Sequence, residues 1–160
     1  MHEAVHMVLM GAITAVLAPA IVLATRSRFD WYWLSFPAAV VLPVFAVAHT
    51  ALMLVMDPLE QRLVPNLLVH GALLVGSIAF WLPVFGRHHR LSDGERCVYL
   101  FIGCPALDIA GAFLVAQGNS VGGLAMIVGM LPIGFAALWL SWQWIRDDER
   151  AVQAREVAGL

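Results

Sequence analysis

A chain of 160 residues that is 61% hydrophobic and only 12% charged, with a mean hydropathy of +0.83, is too apolar for a water-soluble domain of its length, since such domains run nearer half apolar and a quarter charged. The formal net charge is −2 and there is no lysine, so every fixed cation is an arginine, and no nucleic-acid partner is expected. The charges lie in short islands between long apolar stretches, and a backbone in lipid has to satisfy its polar groups within the segment, so the chain reads as an all-α polytopic membrane bundle forming a single domain over residues 1–160.

Five stretches are long enough to cross a bilayer, which takes about 20 residues of helix. They cover about residues 4–25 (AVHMVLMGAITAVLAPAIVLAT), 31–56 (WYWLSFPAAVVLPVFAVAHTALMLVM), 66–85 (NLLVHGALLVGSIAFWLPVF), 97–116 (CVYLFIGCPALDIAGAFLVA) and 121–145 (VGGLAMIVGMLPIGFAALWLSWQWI). Pro19, Pro37, Pro43, Pro105 and Pro132 fall inside them, as kinks that membrane helices tolerate. The N-terminus has no basic region ahead of its apolar run and carries Glu3 instead, so the first helix is expected to be retained rather than cleaved as a leader. Cys97 and Cys104, seven residues apart on one helix, stand roughly 10 Å apart at 1.5 Å per residue, too far for a disulfide. Both are read as small buried residues.

An odd number of spans puts the termini on opposite sides. Arg26, Arg28, Arg87, Arg90, Arg96, Arg146, Arg150 and Arg155 then all fall on one side and Arg62 alone on the other. By the positive-inside rule the arginine side is cytoplasmic, with the N-terminus outside. Trp31, Trp33, Trp81, Trp142 and Trp144 fall near the cytoplasmic ends, where an interfacial aromatic belt is expected. The RDDER stretch reads as a helix end entering water, and His88 and His89 as part of a solvated loop, GRHHRLSDGER.

The outward half carries the polar residues that need explaining. His2 and His6 are spaced i, i+4 on one helix face. His49 lies about two turns before the outward end of the second span, and His70 about one turn inside the third. Asp108 lies mid-way along the fourth, near the depth of His49. Ionisable groups at such depth are costly and usually face the bundle interior, so these residues suggest a shared cavity. Met7, Met10, Met53, Met56 and Met126 occupy the same half. Imidazole and thioether together favour copper over magnesium or calcium. Each residue also has a plainer reading. Methionine fills gaps in apolar cores, a membrane histidine can bond a neighbouring helix, and Asp108 can pair with His49 or Ser120.

Several of these stretches resemble the bacterial caa3-type cytochrome c oxidase assembly factor family, the CtaG-like proteins. That family carries a histidine pair four apart followed by leucines and a proline, along the lines of HMxQHMLLMxxxxPLLxLG. Here HEAVHMVLMGAITAVLAPAIVLA supplies His2, His6, Met7 and Pro19. AHTALMLVMDP supplies His49 and Pro58, LLVHGALLVGSIAFWLPVFG supplies His70, Trp81 and Pro83, and GGLAMIVGMLPIGFAALWLSWQWIRDDER supplies Gly122, Gly123, Met126 and Pro132. The set runs in family order from residue 2 to about 150. Asp57 stands where the family often has a second histidine, Val69 replaces the glutamate before His70, GNSVGG replaces an Asp-Gln element, and family members usually have further helices before the first histidine pair.

The resemblance implies a non-catalytic factor of the bacterial inner membrane that binds copper on its outer face and helps mature a haem–copper oxidase. Its metal ligands would be His2, His6, His49 and His70, with Met7 and Met53 as candidate additional ligands; Asp108 lies outside the family pattern and is a further candidate ligand on its depth alone. A second reading is an accessory subunit packed against a larger respiratory or photosynthetic complex, its glycines allowing close helix contact. A third is a b-type haem protein using two of His6, His49 and His70 as axial ligands.

Overall fold

In the computed structural model the backbone is described for residues 2–59 and 63–157, and the side chains for 5–53 and 67–156. All regular structure among the described residues is helical. The first span is α1 (His2–Ala12), one π-helical turn (Ile13–Leu17) and α2 (Ala18–Thr25). The π turn follows from Pro19. Within it the Ala18 N–H bonds the Ile13 carbonyl, five residues back. Thr14 O is therefore left without the Ala18 donor, and the next residue along is a proline with no N–H to give.

The span expected from residue 31 begins later. Trp31–Pro37 form a loop with a single 3₁₀ turn (Tyr32–Leu34), and α3 runs Ala38–Leu59. Two features stop the helix from starting earlier. Ser35 is extended, and the residue before a proline, here Phe36, is sterically pushed out of helical geometry. α4 (Leu63–Phe85) matches the expected third span closely. α5 (Asp93–Ala116) starts earlier than residue 97, because Ser92 and Glu95 form a reciprocal capping box that supplies the orphan N–H groups of the first turn. α6 (Ser120–Val157) continues well past 145, so the charged RDDER stretch extends the helix instead of ending it, with residues 142–156 all exposed.

The helices close into a ring. α1 packs on α6, α6 on α5, α5 on α3, α3 on α4, and α4 on α2 and the π turn. α3 shows how sequence specifies this. Val41, Phe45, His49 and Met53, four residues apart, are buried, whereas Val40, Val44 and Val47 on the opposite face are exposed. An apolar exposed face is what a bilayer solvates. Four helices are long and apolar enough to cross a membrane, Val5–Thr25, Leu67–Phe85, Asp93–Ala116 and Ser120–Glu156, and α3 adds an apolar stretch at Ala38–Met53. The protein is a multi-pass membrane helix bundle.

Two helix crossings depend on glycine. A Cβ on Gly11 would lie 2.7 Å from the backbone of Gly129, and one on Gly111 would lie 2.9 Å from the Gly123 carbonyl. α6 therefore approaches α1 and α5 at backbone contact, the close packing that small residues permit in lipid.

Candidate metal centre

His6 on α1 and His70 on α4 are brought together. Both are half-buried, and their ring centroids stand 5.6 Å apart with planes 79° from parallel. They meet because the first span and α4 run in the same direction, with α4 packed on the π turn and α2 that follow α1. Further along the same seam Thr14 faces Ser77, which keeps the two histidines level. Met7, next to His6 in sequence, is buried in the bundle core with Met10, Met126 and Met130.

His49 on α3 is fully enclosed. Neither ring nitrogen has a hydrogen-bond partner among the described residues. Its ring centroid lies 5.7 Å from that of Phe45, one turn earlier on the same helix face. Met53, one turn later, is buried as well. Burying a polar group without a hydrogen bond costs on the order of 1–3 kcal/mol.

Asp108 does not join the histidines. The pairing open to it in the sequence, with His49 or Ser120, is not made among the described residues; Asp108 Oδ2 lies instead 3.9 Å from Cys104 Sγ, and its Oδ1 is buried with no partner among the described residues. The physical reason is helical phase. Cys104 lies beside Gly134 of α6, and Asp108 follows it one turn on. Gly103, on another face of α5, meets Phe80 of α4 and Leu42 of α3. His2 lies in the first turn of α1, and its side chain falls outside the described residues, as do those of Met56, Asp57, Pro58 and Arg62. Among the described residues no group of three or more His, Cys, Asp or Glu side chains is placed to hold a metal ion.

Beneath the histidine pair lies a polar network. Ser77 Oγ is 2.7 Å from the Leu73 carbonyl and 3.0 Å from Thr14 Oγ1. A hydroxyl has one proton and the carbonyl can only accept, so Ser77 donates to Leu73 and its lone pair is left for the Thr14 hydroxyl. Trp81 Nε1 donates to the Thr14 carbonyl at 2.8 Å, supplying the donor that the π turn removed. Trp81 is therefore not part of a lipid-facing belt: it is 1% exposed and stacks on Phe85 at 5.4 Å. Thr14 and Ser77 can be found in the sequence by spacing, eight residues after His6 and seven after His70, two turns down the same helix faces.

The donor chemistry at the top of the seam suits a borderline or soft metal. With metal–nitrogen bonds of about 2 Å, two imidazoles on one ion place their ring centres roughly 5–6 Å apart, and the His6–His70 separation falls in that range. Compared with known protein families, with curated proteins and with solved structures, the chain matches none.

Proposed function

We propose that this protein is a non-catalytic copper-binding factor of the bacterial inner membrane that assists assembly of a haem–copper cytochrome c oxidase. The observation that carries the reading is the His6–His70 pair, two imidazoles from different helices held at a separation suited to one ion. His6 and His70 would hold the copper, an ion whose reduced form imidazole and thioether donors suit; His2, His49, Met7 and Met53 remain the candidate further donors that the sequence offers. The bound ion would be a cargo for transfer, and the protein's part is to hold it at the end of the bundle opposite the arginine-rich one. Binding uses neutral imidazole, so protons compete and affinity falls as pH is lowered. The apolar shell and the Thr14–Ser77–Trp81 network beneath the pair fix the ring-bearing helices relative to one another.

The test is copper content of the detergent-purified protein beside a variant carrying His6→Ala and His70→Ala, with His89→Asn as a loop control. About one copper per chain is expected in the wild type and the control, with at least a tenfold loss of affinity in the double variant. Copper retained unchanged by the double variant would overturn the reading, and a haem absorption spectrum would move it to the b-type haem alternative. A folded wild-type chain holding neither, yet co-purifying in fixed ratio with a respiratory or photosynthetic complex, would establish the accessory-subunit reading.

A further inference from the structure

The opposite end of the bundle carries a second polar site. The loop between α2 and α3 and the loop between α4 and α5 are tied together there. His88 Nε2 lies 2.9 Å from Asp30 Oδ1, Ser35 Oγ donates to the His88 carbonyl at 2.9 Å, and the Tyr32 ring meets the His88 ring edge-on at 5.4 Å. Between the tied loops opens a cleft of about 290 Å³ lined by Ser27, Arg28, Phe29, Asp30, Arg87 and His88. A small recess continues inward past Arg26 to Leu82 and Gly86.

The charge balance of this cleft is uneven. Arg26, Arg28 and Arg87 make no ion pair among the described residues, although Arg96 and Arg150 each have an aspartate. Asp30 is the one carboxylate at the cleft, and its Oδ1 is already engaged by His88 and by the Tyr32 N–H at 3.1 Å. Two guanidinium groups of the cleft, with that of Arg26 in the adjoining recess, therefore stand against one occupied carboxylate. The aromatic residues fix the depth. Phe29 packs on Trp31 with centroids 4.6 Å apart, Trp31 Nε1 donates to Thr25 Oγ1, and Trp33 and Tyr32 are exposed. Tryptophan and tyrosine in such a position mark the headgroup level of a bilayer.

We propose that this cleft binds a phosphate group, carried by an anionic phospholipid of the leaflet on the arginine side. Guanidinium forks match phosphate oxygens two at a time, which ammonium groups do not, and this chain uses arginine for every fixed cation. The Asp30–His88 and Ser35–His88 bonds tie together the two loops that carry Arg28 and Arg87 before the lipid arrives, so less ordering remains to oppose binding. The leaflet supplies the ligand at high local concentration, and basic pockets between helices on the cytoplasmic side are suited to such headgroups.

The test is native mass spectrometry of the full chain in detergent, titrated with phosphatidylglycerol or with phosphatidylcholine. Three variants are compared with wild type: Arg28→Gln with Arg87→Gln, Arg28→Lys with Arg87→Lys, and Arg150→Gln with Arg155→Gln on the α6 extension. Wild type is expected to retain phosphatidylglycerol over phosphatidylcholine. The first variant should lose roughly 10- to 30-fold in retention, about what two arginines near a lipid surface contribute. The lysine variant, which keeps charge but not the fork, should lose an intermediate amount, and the α6 variant less than twofold. Equal losses in the glutamine variants at the cleft and on α6 would reduce the effect to bulk charge and overturn the site, as would unchanged retention in the first variant. Inorganic phosphate is added as a competitor: displacement of the lipid at millimolar phosphate would reassign the cleft to a free phosphate, and undiminished lipid retention supports the lipid as its source. If the glutamine variant fails to fold, an unchanged retention by the lysine variant still overturns the proposal.

Discussion

Two buried residues make opposite predictions about stability. Trp81 closes a backbone gap that Pro19 opens: its indole N–H is the donor for Thr14 O. Trp81→Phe keeps most of the ring but leaves that carbonyl without a donor inside a water-poor bundle. A loss of about 1–2 kcal/mol is expected, read as a lower midpoint of unfolding in a denaturing-detergent titration. His49 is the reverse case, a buried ring whose two nitrogens have no hydrogen-bond partner among the described residues. His49→Leu removes the unsatisfied groups at similar volume, so a gain of about 1 kcal/mol is expected by the same titration in the absence of metal. A marked loss instead would mean that the imidazole is bonded in the native protein. Retaining such a residue at a cost in stability fits a group kept for what it binds.

At the scale of elements, helix contact in lipid depends on how closely backbones approach, and the glycines of this chain differ sharply in that respect. Gly11 meets Gly129 across the α1–α6 crossing, whereas Gly71 on α4 has open space where a Cβ would be. Gly11→Ala should therefore cost about 1–3 kcal/mol by pushing the two helices apart. Gly71→Ala should be neutral or stabilising by up to about 1 kcal/mol, since alanine is the better helix former. Both can be measured in one titration, and equal effects would argue against the α1–α6 contact. In the sequence both are simply glycines in apolar segments; their difference is set by which neighbour each one faces.

The whole molecule has one arginine-rich end, which also bears His88 and His89, and an opposite end that bears the His6–His70 pair, and the arginine asymmetry predicts its orientation. All arginines on described residues lie in the loops and helix ends at one side, which the positive-inside rule assigns to the cytoplasm. A cysteine placed by Gln117→Cys, in the short α5–α6 connection, should react with a membrane-impermeant maleimide from outside intact cells. A cysteine placed by Arg155→Cys on the α6 extension should react only after the membrane is opened. The reverse pattern would invert the protein. Cys97 and Cys104 add little background, since one is buried and the other half-buried in the bundle.

Much of this architecture follows from the sequence alone, because lipid leaves the backbone little choice. Apolar runs of sufficient length have to be helices, their number and the arginine placement specify the topology, and the four-residue stripe of Val41, Phe45, His49 and Met53 marks the inward face of α3. The ends of helices were less legible. Local chemistry decided them: Pro37 and extended Ser35 delay α3, the Ser92–Glu95 capping box advances α5, and a water-exposed helix of charged residues lengthens α6. Only tertiary structure could show which polar residues meet. Helix phase pairs His6 with His70 and turns Asp108 towards Cys104, and the order of helices around the ring buries Trp81 against Thr14. One chain's periodicity gives the face a residue occupies on its own helix; which helix lies opposite that face is settled by packing among all of them.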